Sequence, residues 1–286
     1  MSNTDVSNPV SFADERILET SHGPIALYDL AGPGTPLVMI HANSVSKESF
    51  RLQFDALRET RRVIAVDLPG HGASANAIDP QRSYSIPGYA NAVLEILWQL
   101  GVAEFIVIGH SLGGHVALEM IALGAPVKGA FVFGTPPIEA SLAGLQAGFK
   151  PSPDMAYTGS ADITEEQIDM VLKLALGADA QNDEALRAAV KRTDGQARQM
   201  MIEAVLAGKG SDQKALVETS QVPIAVTNGE DDPVIDLDYI DRIGFANVWT
   251  EKPIRISGAG HGLHRELPEQ FNRLLLAFVN DIETAG

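Results

Sequence analysis

The sequence has no cysteine among its 286 residues. Disulfides, thiol nucleophiles and cysteine-based metal sites are therefore excluded. Basic residues are scarce: 21 Lys and Arg stand against 37 Asp and Glu, a formal net charge of -16. A chain so acidic repels nucleic acid and anionic membrane surfaces. No apolar run has the length of a membrane span, and the polar, acidic start "MSNTDVSNPVSFADE" lacks the basic and apolar regions of a signal peptide. These absences predict a soluble, cytoplasmic protein. What is present is a core: 45% of residues are hydrophobic, enough for one large domain or a domain with an insertion.

Short apolar runs alternate with helical patterns. "PLVMI" (36–40), "RVIAVD" (62–67), "EFIVIG" (104–109), "KGAFVFG" (128–134), "VPIAVTNG" (222–229) and "NVWTEKPIRIS" (247–257) read as strands. Helical spacing marks 46–59, 86–101, 112–124 and 268–283. This alternation predicts an α/β fold, with a mainly parallel sheet and helices on both faces. Residues 15–30 break at His22-Gly23-Pro24 and read as an edge hairpin. From 139 to 219 no strand is evident, and Met, Ala, Leu and charged residues recur at helical spacing. The expected organisation is a flexible tail (1–12), a core (13–138 and 220–286) and an inserted helical cap (139–219).

Chemistry concentrates in "VIGHSLGGH" (107–115). Gly109, Ser111 and Gly113 form G-x-S-x-G between a strand and a helix. A tight turn there holds a serine out in a strained backbone, and small neighbours relieve the crowding. The alternative is a glycine-rich turn with a bystander serine. A serine hydroxyl needs a base to take its proton and a carboxylate to orient the base. "NGEDDPVID" (228–236) places carboxylates after a strand, where open α/β sheets build sites. "SGAGHGLHRELP" (257–268) supplies His261 after the last strand.

The pieces "MIHANS" (39–44), "DLPGHGAS" (67–74), "GHSLGG" (109–114), "NGEDDP" (228–233) and "GAGHGLHRELPE" (258–269) resemble the α/β-hydrolase fold family. The resemblance implies a Ser111–Asp232–His261 triad, in the family's chain order. Asp231 and Glu230 are the other acids in reach. It implies oxyanion donors at the backbone N–H groups of Leu112 and Asn43. His41 and His71 match histidines that brace loops. His110, beside the nucleophile, is expected at the pocket floor, His115 packed on the elbow helix, and His264 packed in the next helix.

The family's His-Gly-x reads His41-Ala42-Asn43 here. Alanine at a positive φ costs about 1 kcal/mol. So either Ala42 takes an ordinary backbone conformation or the loop has moved. The Asn43 amide is a further candidate contact to a substrate carbonyl. A serine at the elbow sets the chain apart from relatives with an aspartate nucleophile. The H-x-H-x-D-H signature of zinc lactonases is absent.

Further segments narrow the resemblance: "ETSHGPIAL" (19–27), "AIDPQRSYSIPGYANA" (77–92), "GTPPIEA" (134–140), "GFKPSPDMA" (148–156), "KRTDGQARQMM" (191–201) and "DLDYIDRIGFANVWTEK" (236–252). They are similar to the metal-independent N-acyl-homoserine lactonases of the α/β-hydrolase group. This implies opening of a lactone ring through an acyl-enzyme, with no cofactor or metal. A cap position that carries a substrate-contacting tyrosine in that group aligns with Val171. Met155, Tyr157, Met170, Val171, Leu174, Met200 and Met201 are candidates for an acyl-chain slot, or for ordinary helix packing. The competing readings are a short-chain carboxylesterase, a hydrolase-fold receptor with little turnover, and a carbon–carbon bond hydrolase.

Overall fold

The computed structural model describes residues 15–285, apart from the side chains at 154 and 155. The expected tail at 1–12 lies outside the described residues. Eight strands form one sheet in the order β1-β2-β4-β3-β5-β6-β7-β8. They are β1 Glu15–Thr20, β2 Gly23–Leu30, β3 Leu37–Ile40, β4 Val63–Val66, β5 Phe105–His110, β6 Val127–Phe133, β7 Ile224–Gly229 and β8 Ile254–Ile256. The β1–β2 hairpin is antiparallel and lies at the sheet edge, and β2 pairs antiparallel with β4. All pairings from β4 through β8 are parallel.

In β3, β4, β5 and β7 every residue is buried. That is why these strands read as continuous apolar runs: helices cover both faces of a parallel sheet. On one face lie α1 (Arg51–Leu57) and, at the far end of the chain, α11 (Leu263–Glu266) and α12 (Pro268–Ala285). On the other, α3 (Ile86–Gln99) and α4 (Leu112–Ala122), preceded by the short α2 (Pro80–Ser83), contribute to the larger apolar cluster. Ser85 caps α3 by accepting from the Gly88 N–H at 3.1 Å.

One expected strand is shorter than its pattern. Of 247–257 only Ile254–Ile256 joins the sheet, and Val248 makes a single bridge to Ile224. Glu251 has φ 62 and Lys252 N–H bonds back to Thr250 O, so a turn interrupts the run just before Pro253. Proline cannot donate to a ladder.

Between β6 and β7 the chain is helical: α5 Leu142–Gly148, α6 Glu165–Leu176, α7 Glu184–Arg192, α8 Gly195–Leu206 and α9 Gln213–Val217. Thr164 and Gln167 form a capping box on α6, and Asp183, Asp194 and Asp212 cap the next three helices. The apolar faces of α6 and α7 form a cluster with Ala42 and Val45, which belong to the loop after β3. This segment therefore packs onto the end of the sheet where the parallel strands finish. After β7 comes α10, Leu237–Asp241. Among the described residues no helix is long and apolar enough to cross a membrane.

The start of α4 lies hard against the end of β3. A Cβ on Gly113 would sit 2.0 Å from the Ile40 carbonyl oxygen, and one on Gly109 would sit 2.4 Å from the Gly113 oxygen. Within a helix, glycine to alanine ordinarily stabilises by about 1 kcal/mol; here the sign must reverse. We expect Gly113→Ala to lower the denaturant midpoint substantially. Gly244→Ala, with open space around it, should change stability by no more than about 0.5 kcal/mol.

Candidate active site

Ser111 follows β5 directly and precedes the first residue of α4, with φ 52 and ψ -114. For a non-glycine residue such a backbone costs on the order of 1–3 kcal/mol and persists only where its surroundings impose it. They do so here. The Ser111 N–H donates to Phe133 O at 2.9 Å, and its carbonyl accepts from Gly114 N, His115 N and Thr135 Oγ1. Leu112, as first residue of α4, has an N–H with no intrahelical acceptor.

His261 lies in the loop between β8 and α11 and is 5% exposed. Its Nδ1 is 2.8 Å from Asp232 Oδ2. Asp232 stands in the turn after β7 and is fully buried. Its other oxygen accepts from Val234 N (2.7 Å) and Ile235 N (3.2 Å). Burial pushes its pKa up, but the His261 charge and these hydrogen bonds outweigh burial and hold it below the ordinary 3.8. An ionised Asp232 makes Nδ1 the proton-bearing nitrogen and leaves Nε2 basic. Glu266 secures the loop from both sides of the histidine, accepting from Gly260 N and Gly262 N at 3.0 and 3.1 Å. Sequence reading had not singled out Glu266; its place five residues after the base was the available signal.

Ser111, Leu112, His261 and Asn43 line one cavity of about 690 Å³, walled mainly by apolar side chains. The Ser111 hydroxyl makes no hydrogen bond among the described residues. Catalytic serine–histidine contacts are often long until a substrate is bound. Asp231 and Glu230 are exposed, the latter bonded to Ser257, as a solvated acidic loop predicts.

Ala42 does not adopt a positive φ. The left-handed residue of this loop is Ser44, at φ 65. His41 Nδ1 donates to Ala42 O at 2.7 Å and its Nε2 accepts from Leu68 N at 3.0 Å, which ties the loops after β3 and β4 together. His71 Nδ1 lies 3.1 Å from Pro69 O. The Asn43 amide is engaged elsewhere than the sequence suggested: Nδ2 donates to Thr158 O at 2.7 Å.

Arg198 of α8 completes this bracing. It is 2% exposed, and no carboxylate lies within ion-pair distance of it among the described residues. Its Nε donates to Ser44 Oγ at 2.9 Å and its Nη2 to Val190 O at 2.5 Å. Thr193 Oγ1 donates to Ser44 O at 3.3 Å.

Of the cap candidates, Val171, Leu174 and Met201 line the cavity. Val171 and Leu174, three apart, share a helix face that excludes Met170, which is 36% exposed. Met200 packs against the main core, and Tyr157 against the cluster around Ala42 rather than on the cavity wall. The Met155 side chain lies outside the described residues. His110 is not at the pocket floor. It alternates away from Ser111 along β5, stacks on Phe133 at 4.6 Å, and bonds from Nε2 to His261 O at 3.0 Å. His264 is buried among Phe50, Phe133 and Phe271. His115, on the elbow helix, is buried against Gln213 and also lines the cavity.

Two measurements check this geometry. Asp232 has a depressed native pKa, so its stabilising contribution is complete above 3.8 and is lost as pH falls through the native value. The stability gap between wild type and Asp232→Asn should narrow on going from about pH 6 to about pH 3; a constant gap contradicts the buried ionised carboxylate. Arg198→Met leaves Ser44 Oγ and Val190 O without their donor and should cost about 1–3 kcal/mol in denaturant unfolding.

Comparisons with known proteins bear on the family and the fold. A chain of N-acyl homoserine lactonase AidH, crystallised with N-hexanoyl homoserine, superposes with TM-score 0.89 at 42% identity, covering 94% of this chain and 96% of that one. An esterase from Rhodococcus sp. ECU1013 shares the fold, at TM-score 0.75 and 24% identity over 94% of this chain and 99% of that one. The dihydrolipoyllysine-residue acetyltransferase component of the acetoin cleaving system of Pseudomonas putida is 28% identical over 88% of this chain, which spans 65% of that protein's length. The Alpha/beta hydrolase family profile matches residues 37–274. With that match over most of its length and an eight-stranded sheet of this order, the chain belongs to the alpha/beta hydrolase family.

Proposed function

We propose that this hydrolase opens the lactone ring of N-acyl homoserine lactones, and so degrades quorum-sensing signals, through a serine acyl-enzyme. The observation that carries the reading is the 42% identity with a lactonase over nearly the full length of both chains. That span includes residues 139–219, which we take as the cap that selects substrate. The large apolar cavity at Ser111 suits a ring with an acyl chain attached. The strongly acidic composition fits action in the cytosol.

His261, oriented by Asp232, takes the proton of Ser111 as the serine oxygen attacks the lactone carbonyl. The carbonyl oxygen becomes an oxyanion, which the N–H groups of Leu112 and Asn43 receive. The ring C–O bond then breaks, and His261 returns the proton to the leaving alkoxide. The acyl-enzyme so formed still holds the former leaving group, now a hydroxyl, within the same molecule. Water, deprotonated by His261, attacks the ester carbonyl. Ser111 leaves with the proton, and the open-chain hydroxy acid is released. These steps use a hydroxyl, an imidazole and a carboxylate, and the pathway calls for no metal or cofactor.

A short-chain carboxylesterase is the second reading. Val171 favours it, because an apolar side chain on the cavity wall supplies no hydrogen bond to a lactone or amide. Mass spectrometry of products from a mixed panel decides between them. A higher kcat/KM on N-acyl homoserine lactones than on p-nitrophenyl esters supports the lactonase, and the reverse order supports the esterase. Ser111→Ala should lower turnover at least about 10³-fold on every substrate cleaved. Tight lactone binding with the same negligible turnover in wild type and Ser111→Ala would instead mean a receptor.

A further inference from the structure

His115 stands one turn beyond Ser111 on α4, and its N–H donates to Ser111 O at 3.1 Å. It lines the cavity and is 7% exposed. The buried Gln213 grips it twice. Gln213 Nε2 donates to the His115 carbonyl at 3.0 Å, which turns Gln213 Oε1 toward His115 Nδ1 at 2.7 Å. An amide oxygen only accepts, so Nδ1 carries the proton and Nε2 is a bare acceptor. Burial pushes the imidazole pKa down to about 4, which keeps the ring neutral. Nε2 has no hydrogen-bond partner among the described residues, and it is not among their sealed, unpartnered atoms. The open space beside His115 is the cavity.

We propose, building on the hydrolase reading above, that His115 is a specificity-determining residue: its Nε2 accepts a hydrogen bond from an N–H on the carbon adjacent to the substrate's reacting carbonyl. The dimensions agree. The His115 N–H bonds to the Ser111 carbonyl at 3.1 Å, and both residues line the same cavity. A nucleophile approaches its carbonyl carbon at about 3 Å, that carbon is about 2.5 Å from a nitrogen on the next atom, and an N–H reaches its acceptor at about 3 Å. A bent chain of these links joins two groups on one cavity wall. A substrate with methylene in place of N–H leaves Nε2 desolvated and unpaired, and sites built for a hydrogen bond reject such analogues strongly. The selected class is therefore N-acylated amino-lactones and N-acylated α-amino esters.

The test compares two isosteric pairs. One is p-nitrophenyl N-acetylglycinate with p-nitrophenyl levulinate. The other is N-hexanoyl homoserine lactone with α-(2-oxoheptyl)-γ-butyrolactone. In each pair only NH and CH2 differ. The readout is the ratio of kcat/KM, NH over CH2, corrected for background hydrolysis. Wild type should favour the NH member by about 10- to 100-fold. The ratio should collapse toward unity in both His115→Phe and His115→Leu, and recover in part in His115→Gln, whose amide oxygen can accept. A wild-type ratio near one overturns the proposal. So does a ratio that persists in the Phe and Leu variants, even where absolute rates fall. If no lactone is cleaved but the ester ratio behaves as described, the lactonase reading fails and the role of His115 stands.

Discussion

Everything at this site depends on a close backbone contact: the first turn of α4 against the end of β3. Gly113 gives the Ile40 carbonyl no Cβ to meet, so the helix can start immediately after β5. A helix that starts there forces the bend at Ser111. The bend carries a conformational cost, and the bonds from Ser111 to Phe133, Gly114, His115 and Thr135 offset it. The strained serine is thus a consequence of packing two regular elements too close for an ordinary connection. The same contact brings the N-terminus of α4 beside the loop that carries Asn43.

A second constraint couples the helical segment to that loop. Ala42 and Val45 share an apolar cluster with α6 and α7, while Arg198 and Thr193 hold Ser44 and Thr158 accepts from Asn43. The residues that shape the substrate cavity and those that position the Asn43 backbone are therefore one packed unit. A buried guanidinium bonded to neutral oxygens is costly unless each donor is placed, so Arg198 specifies a single arrangement of α8 against the loop. With Ala42 where the resemblance expects glycine, the left-handed residue of the loop is Ser44, two positions further along.

Much of the core was legible. β3, β4, β5 and β7 are buried on both faces, so each appears as an uninterrupted apolar run, and Ser111, Asp232 and His261 follow β5, β7 and β8 in chain order. The misreadings have local causes. Residues 247–257 have strand composition, but the turn at Glu251 and the ring of Pro253 leave only three residues to pair. His110 adjoins Ser111 in sequence, yet strand alternation points it to the opposite face. Met170 and Met200 share the composition of their lining neighbours, and helix phase alone separates them.

By itself the sequence determined the α/β alternation, the order of serine, aspartate and histidine, and the absence of thiol chemistry, because these follow from residue type and period. Only the tertiary structure decided which oxygen of Asp232 meets His261, that Asn43 turns its amide to Thr158, and that His115 faces the cavity with one nitrogen committed to Gln213. Those outcomes depend on contacts between residues from 29 to 115 positions apart. Local pattern carries no information about which distant partners the packed helices bring together.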